Sequence, residues 1–412
     1  MTRSTAIFFL AFLPRLAYLF LNFPGVPSPG FYWSSSGSFL RFGILGYEGK
    51  SVTAVEPLYP FFLAFARILT ADRVFPVFVA QIALSSVAAI LLYRLVLFLS
   101  GEKGGAWLAA FYYSFYPYLV RQSAVLSEVS LLTTLLILGA STFLRARSPK
   151  GFALSGFVWG LVLLTRTAAL PVVVFGAAAL ALRRQFVNAA VFLGLALLLL
   201  LPFSLRNFSI DGSLLPTRSG VNLYDGNNSY TDALLPRYSL DLMHARRSEV
   251  LQQEGWRISG ARESEIDRFW TAKALQFMKE NPLWAVKRRL LNLFYFFHPR
   301  IVPFYPSSPE TRIAFGPEGT VSVENASGRS RPAEWAHTVF YSFLLGTALW
   351  GVWLRRREAG RDLMLYLIVA GFAAVSAWYW PATRLRAPTD FVLMIYSAVA
   401  VWEGGLKKVL KR

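Results

Sequence analysis

The sequence is poor in the side chains that usually carry soluble enzyme chemistry. Its 412 residues include no cysteine and three histidines, His244, His298 and His337. The absence of cysteine excludes disulfides, thiolate metal sites and cysteine nucleophiles. The histidines are scattered without ligand spacing, so a histidine-based zinc site is not expected. A glycine-rich phosphate loop of the soluble nucleotide-binding type is also absent, which disfavours a soluble nucleotide as substrate.

Apolar residues are abundant, and positive charge far exceeds negative charge. Hydrophobic residues make up 55% of the chain, aromatic residues 16%, and the formal net charge is +19. Most lysines and arginines lie in short loops between apolar runs, which is typical of the cytoplasmic loops of a membrane protein. We therefore interpret the charge as a mark of membrane orientation and not of nucleic-acid binding.

Ten apolar runs approach the length of about 20 residues that a helix needs to cross a bilayer. They cover approximately residues 5–23, 76–99, 104–120, 127–144, 152–165, 168–182, 186–203, 335–354, 362–380 and 389–405. The first run contains Pro14 and Arg15 and lacks a small-residue cleavage site, so we interpret it as a retained span. The sequence predicts an all-α polytopic membrane protein, with a bundle of about ten transmembrane helices.

The short loops alternate in charge and thereby predict an orientation. Basic residues concentrate in loops 101–105, 145–151, 183–184 and 355–361 and in the tail 407–412. The short loops on the other side hold Arg121, Arg166, Arg384 and Arg386. Because basic loops stay in the cytoplasm, both termini are predicted inside. The chain then divides into a membrane module 1–204 with a first outer loop 24–75, an outer loop domain 205–334, and a membrane module 335–412.

Three parts of the outer segments have local patterns. Residues 57–69 are apolar but short, which predicts a juxtamembrane helix lying on the membrane. Apolar residues at helical spacing from Ile266 to Met278 predict a helix that Pro282 interrupts. The basic and then aromatic order of 287–297 suits a helix on anionic head groups or, equally, one packed on its own domain. Residues 303–330 are rich in proline, serine and glycine and predict an irregular loop.

Several short motifs, in order along the chain, resemble those of one family. They are PLYPFFLA at 57–64, FYPYLVRQSAVLSE at 115–128, LTRT at 164–167, LRN at 205–207, NLYDGNN at 222–228 and RLRAP at 384–388. Together they resemble the bacterial GT-C glycosyltransferases related to protein O-mannosyltransferases and lipid A aminoarabinose transferases. This resemblance implies a GT-C-like bundle that takes a sugar from a polyprenyl-phosphate carrier on the outer face.

One position departs from the family pattern. The first outer loop of the family carries a catalytic aspartate, and the best match here is SSSGSFLRFG at 34–43, where the aspartate position is Ser35. A hydroxyl group does not act as a carboxylate base near neutral pH. The departure implies another acid at the site, an acceptor that needs no base, or the loss of transfer activity.

Sugar transfer requires a general base for the acceptor and cations for the departing phosphate. We predict Glu128 first as the base, then Glu56 and Glu48; the alternative for Glu128 is a structural ion pair with Arg121 or Arg166. For the donor phosphate we predict Arg206, Arg384 and Arg386, with anchoring at the head groups as the alternative. No metal ligands are predicted; a divalent cation is possible for the superfamily but has no supporting motif.

These observations favour a multi-pass enzyme of the bacterial inner membrane with an extracytoplasmic active site. Its expected partners are a polyprenyl-phosphate-linked sugar, membrane lipids and an acceptor lipid, glycan or protein, without nucleic acid. Two alternatives stay open: a non-catalytic relative that binds lipid-linked sugars, which Ser35 favours, and a transporter or flippase for a lipid-linked glycan. Against the transporter, two halves with matching broken spans are not found.

Overall fold

The computed structural model describes residues 2–23, 30–255, 261–306, 310–326 and 328–406, and within them the chain is mostly helical with very little sheet. The first membrane module contains α1 (Arg3–Leu21), α2 (Phe31–Phe42), α3 (Leu58–Leu69), α4 (Val74–Ser100), α5 (Lys103–Phe115), α6 (Pro117–Ser123), α7 (Val129–Arg145), α8 (Pro149–Thr165), α9 (Leu170–Leu182) and α10 (Phe186–Asp211). The outer segment contains α11 (Ser219–Asp225), α12 (Thr231–Leu234), α13 (Met243–Gln253), α14 (Glu263–Glu280) and α15 (Pro282–Phe296). The C-terminal module contains α16 (Arg331–Leu354), α17 (Leu363–Trp378), α18 (Thr383–Arg386) and α19 (Phe391–Val401).

Two small antiparallel hairpins complete the described structure. Strands β1 (Gly46–Tyr47) and β2 (Lys50–Ser51) lie in the first outer loop, and β3 (Arg312–Phe315) pairs with β4 (Val321–Glu324) in the outer segment. The prediction of an irregular loop over 303–330 was therefore wrong for β3 and β4. Their alternation of apolar and polar residues is a strand pattern, and it was hidden by the flanking proline, serine and glycine.

The predicted spans coincide with helices, and the all-α polytopic membrane class is confirmed. Among the described residues, four helices, α1, α4, α10 and α16, are long and apolar enough to cross a membrane by length and composition, and several shorter apolar helices accompany them. The predicted span 104–120 is two helices, because α5 ends at Phe115 and Pro117 begins α6. Proline suits the first position of a helix, where its missing N–H group is not needed.

The loops between the helices cluster at two ends of the molecule, as their contacts show. The predicted cytoplasmic loops meet each other: Arg145 donates to the carbonyl of Arg94 at 3.0 Å, and Arg183 donates to that of Gly360 at 2.6 Å. At the other end, the first outer loop meets the connection after α8 and the start of α14. The segments predicted to share a side of the membrane thus share an end of the molecule, although the tail 407–412 lies outside the described residues.

Small residues allow the central helices to approach closely. Gly156 and Gly160 lie one turn apart on α8, against α10. A Cβ atom on Gly156 would lie 2.4 Å from the carbonyl oxygen of Phe192, and one on Gly160 would lie 2.7 Å from Cβ of Leu199. Such close packing of glycine faces is typical of membrane helices, which gain stability from van der Waals contact. It fixes the frame that supports the outer end.

The helices of the outer segments are amphipathic. In α3, Tyr59 and Leu63 are buried whereas Phe65 and Ile68 are exposed, as expected for a juxtamembrane helix. In α15, Asn292 is buried and donates to the carbonyl of Ala377 at 3.1 Å, so this helix packs on α17. Its opposite face exposes a row of apolar side chains at helical spacing: Leu283, Val286, Leu290, Leu293 and Phe294. The helix therefore packs on the protein and also presents an apolar surface.

Candidate functional site

Two of the predicted acids meet at consecutive residues of the outer end. Glu56 accepts hydrogen bonds from the backbone N–H and the hydroxyl of Thr167, at 2.9 and 2.8 Å. Glu128 pairs with Arg166, with 3.1 Å between its Oε1 and Nη1 of the arginine. Because Arg166 and Thr167 are adjacent, the two carboxylates share one small region. We call Glu56, Glu128, Arg166 and Thr167 the acid centre.

The acid centre is built from the ends of helices. Glu128 precedes α7, and Glu56 lies two residues before α3. The amide of Gln81 on α4 donates to the carbonyls of Ser123 and Val125, at 2.9 and 2.8 Å, and holds the connection that leads to Glu128. The side chain of Glu128 is 13% exposed. A carboxylate held at this depth by one arginine is costly to bury without a role, which makes it a candidate for chemistry.

Tyr32 of α2 lies beside the acid centre. Tyr32 lies against Glu128 and Arg166, and burial together with the Glu128 charge raises the pKa of its phenol, so that Tyr32 stays neutral. Its ring contacts that of Tyr59 edge to face, with centroids 4.9 Å apart. Ser35 lies one turn further along α2, on the same side as Tyr32. It is 1% exposed, and its hydroxyl has no hydrogen-bond partner among the described residues.

Glu48 stands apart from the other two predicted bases. It occupies the turn between β1 and β2, is exposed, and has a positive φ of 48°. Within the described ranges, no hydrogen bond or ion pair joins it to Glu56 or Glu128. The structure thus brings together two of the three predicted acids and leaves the third on the surface.

The side chain of Arg206, on α10, binds the first outer loop. Its guanidinium donates to the carbonyls of Val52 and Leu45, at 3.0 and 2.7 Å. Next to Val52, the Thr53 hydroxyl donates to Glu263 at 2.7 Å, which ties the same loop to α14. Arg206 itself lies on α10, and the loop that it binds continues to Glu56, one member of the acid centre.

Arg386 and Arg384 lie in a different part of the outer end. Arg386 is 2% exposed, pairs with Asp390 at 3.4 Å, and stacks on the ring of Tyr341, with 3.6 Å from Cζ to the centroid. It also donates to the carbonyl of His298 at 2.8 Å. The Arg384 side chain is 50% exposed and lies 3.8 Å from Asp241. The contacts of the described residues do not join either arginine to Arg206.

The acid centre does not suit a divalent cation. Among the described residues, no group of three or more histidine, aspartate or glutamate side chains is arranged to hold a metal ion. The guanidinium of Arg166 already supplies the positive charge beside Glu128. A second cation there would be repelled by it, so we derive no step through a metal.

A comparison with protein families finds a match, and it covers this region. Residues 54–206 match the family model described as dolichyl-phosphate-mannose-protein mannosyltransferase. The matched model is that of a GT-C family domain. The match confirms the predicted resemblance and includes the whole acid centre and Arg206; it covers less than half of the 412 residues. It supports a membrane glycosyltransferase of the GT-C type. No curated protein matches the chain.

Some residues of the site were not predicted to belong to it. Thr167 was quoted only as part of a motif, and Tyr32 and Gln81 were not considered. The sequence did indicate a buried role for Gln81, because an amide in the middle of an apolar span needs hydrogen-bond partners that lipid does not offer. Arg166 was predicted as one of two possible partners of Glu128, and the structure selects it over Arg121.

Proposed function

We propose that this protein moves a sugar from a polyprenyl-phosphate carrier to a hydroxyl group of a lipid, glycan or protein acceptor on the outer face of the membrane. The observation that carries the proposal is the meeting of Glu56 and Glu128 at Arg166 and Thr167, inside the segment that matches the family model. The family uses lipid-linked sugar donors, which supports this kind of donor.

In the proposed reaction, Glu128 takes the proton of the acceptor hydroxyl as that oxygen attacks the anomeric carbon of the sugar. The bond between this carbon and the phosphate oxygen breaks, and the carrier phosphate leaves with the electron pair. Arg166 orients Glu128 through the ion pair, and Glu56 fixes the connection on which Arg166 lies. Glu56 remains the second candidate for the base and Glu48 the third.

The leaving phosphate needs positive charge close to the reacting carbon. Of the three predicted arginines, Arg206 on α10 binds the loop that leads to Glu56, and we propose it for this contact. Its planar guanidinium suits two parallel hydrogen bonds to phosphate. Donor contact by Arg384 and Arg386 stays a prediction.

The proposed activity is tested with purified protein in lipid and a panel of polyprenyl-phosphate sugars, with mass spectrometry of the released carrier phosphate. Release that depends on an added acceptor and on Glu128 is expected. Binding of the donors without release from any of them would contradict the proposal and favour the non-catalytic alternative.

That second function is favoured by Ser35, whose buried hydroxyl stands where the family pattern has its aspartate. A Ser35→Asp variant distinguishes the two functions. If the parent is inactive and this variant transfers sugar, then the natural protein is a binding relative that has lost its base.

The side of the membrane is tested by cysteine labelling, because the chain has no cysteine of its own. Ser148 and Ser229 are both exposed and lie in loops predicted on opposite sides. Ser229→Cys should react with an impermeant thiol reagent in intact cells, whereas Ser148→Cys should not. The reverse pattern would move the acid centre to the cytoplasm.

A further inference from the structure

A cleft of about 180 Å³ opens at the outer end of the molecule, apart from the acid centre. Its walls come from α6, from the segment before α13, from the chain after α15 and from the connection between α17 and α18. The residues that matter here are Tyr118, Arg121, Asp241, Arg329, Trp380 and Arg384. We call this the arginine cleft. Its walls lie in segments predicted to face the outside or at the outer ends of predicted spans.

Positive charge in the arginine cleft is not balanced by the protein. Three guanidinium groups and one carboxylate line it, for a formal charge of +2. Arg121 is exposed, and its side chain has neither a hydrogen bond nor an ion pair within the part of the chain that the structure describes. Arg384 is half exposed, and its ion pair with Asp241 is long, at 3.8 Å. Like charges that converge without partners raise the local positive potential and attract an anion.

The third arginine is held in place by the backbone. Nη1 of Arg329 donates to the carbonyls of Pro303 and, at 2.9 Å, Phe304. Arg329, Arg121 and Arg384 all act on the buried phenol of Tyr118, so the three guanidinium groups surround one point. Backbone contacts fix one cation while the other two remain free to engage a ligand.

The arginine cleft is separate from the acid centre. The residues that line the cleft include no member of the acid centre. Tyr118 and Arg121 of α6 face the cleft, whereas the carbonyl of Ser123 at the end of α6 is bound by Gln81. Gln81 in turn accepts from Tyr59 at 2.6 Å, and Tyr59 lies against Tyr32 over the acid centre. The end of α6 and its connection to α7 therefore lie between the two sites.

The chemistry of the arginine cleft points to phosphate. Guanidinium groups match phosphate oxygens with paired, charge-assisted hydrogen bonds, and three of them accommodate more than one negative charge. One part of the remaining wall is apolar, with Val302, Pro303 and the side chain of Trp380. Such a wall suits the sugar or hydrocarbon next to a phosphate group and does not suit a fully hydrated ion.

We propose that the arginine cleft binds a phosphate group carried by a lipid at the outer membrane surface. This rests on the proposed sugar transfer where the phosphate is that of the carrier, for which donor contact by Arg384 was predicted, and goes beyond it where the phosphate belongs to another lipid. Two sources share the chemistry: the phosphate of a polyprenyl carrier, and the phosphate of a phospholipid or glycolipid acceptor. Binding is measurable without turnover, so failure of this proposal and failure of the proposed function are distinguishable.

The test measures lipid binding by native mass spectrometry, with protein in a neutral phosphatidylcholine background. The probes are polyprenyl monophosphate and phosphatidic acid. Replacing Arg121 and Arg384 together by alanine removes two charge-assisted contacts, and binding of at least one probe should weaken by about tenfold or more. Loss confined to polyprenyl monophosphate identifies the carrier, and loss that includes phosphatidic acid identifies a lipid phosphate more generally.

Two further variants make the outcome decisive. Arg268→Ala removes an exposed arginine of α14, outside the arginine cleft, and should leave both affinities unchanged. Asp241→Asn removes the competing carboxylate but keeps an acceptor for the Ser239 hydroxyl, which lies at 2.9 Å; it should tighten binding by roughly two- to fivefold. Unchanged affinity for both probes in the double arginine variant overturns the proposal, as does an equal loss in Arg268→Ala.

Discussion

The acid centre and the arginine cleft are both charged regions of the outer end, but the charges of the first are paired and those of the second are largely unpaired. In the acid centre, Glu128 is paired with Arg166, and Glu56 is bound by Thr167. In the arginine cleft, Arg121 is unpaired within the described structure, and Arg384 has only a long contact with Asp241. Paired and oriented charges suit proton transfer, because their geometry is set before the substrate arrives. Unpaired cations suit the capture of an anion.

The difference also shows which contacts are structural. Arg386 and Arg384 are two residues apart in one motif, yet Arg386 is buried against Asp390 and Arg384 is open to solvent. Arg386 joins the end of α15 to α19 through the carbonyls of Phe296 and His298. Neighbouring arginines of one motif therefore take different roles, and the motif alone does not separate them.

If the acid centre carries out the proton transfer, the largest effect on the transfer rate is expected from Glu128→Gln. The amide keeps the size of the side chain but cannot accept the acceptor proton, so the transfer rate should fall by about 10²–10⁴. Single-turnover release of carrier phosphate measures this rate. Glu249→Gln, at a carboxylate 2.9 Å from Arg246 on α13, is the matched control and should keep the parental rate. A Glu128→Gln rate close to the parental value would leave the base unassigned.

A smaller effect is expected from Arg206→Ala. Loss of the guanidinium should weaken donor binding and transfer together, each by roughly tenfold, the scale of one charge-assisted hydrogen bond. Arg206→Lys should restore little, because a point charge does not make the planar two-bond contact. Donor affinity and single-turnover rate are measured on protein with an unchanged thermal unfolding midpoint. If both stay at the parental level in a folded Arg206→Ala protein, the residue serves only to hold the carbonyls of Leu45 and Val52.

The smallest effect is expected from Glu48→Gln. Glu48 is exposed on the turn of the first hairpin and shares no contact with the acid centre in the described structure. The transfer rate should stay within about twofold of the parental value, as is usual for surface substitutions. If the transfer rate fell as far as in Glu128→Gln, the base would lie outside the acid centre, and the role that we give to the acid centre would be wrong.

Much of the fold was predictable, and the misses have local causes. The apolar runs predicted the helices of the bundle, and Pro282 predicted the break between α14 and α15. The helix α2 was not predicted in detail, because its sequence is rich in serine and its burial depends on partners such as Arg67. The hairpin of β3 and β4 was missed for a similar reason: four-residue strands between turns carry a weak periodic signal.

For the site, the sequence supplied candidates and the structure supplied their pairing. Glu56 and Glu128 were predicted as acids, and Arg166 was one of two partners considered for Glu128. The bond between Glu56 and Thr167 joins residues 111 positions apart, and no local pattern encodes such a contact. The arginine cleft is a stronger case, because Arg121, Arg329 and Arg384 come from three distant segments.

By itself, the sequence determined the membrane class, the helical spans and the sorting of loops into two groups, since these follow from hydrophobicity and charge along short stretches of chain. Only the tertiary structure decided which charges are paired and which are left open. Burial and pairing depend on the packing of helices that bring distant segments together, as α6, α18 and the chain after α15 do around the arginine cleft. An arginine that the packing surrounds with acceptors stabilises the fold, whereas one that is left without acceptors is available to bind a ligand.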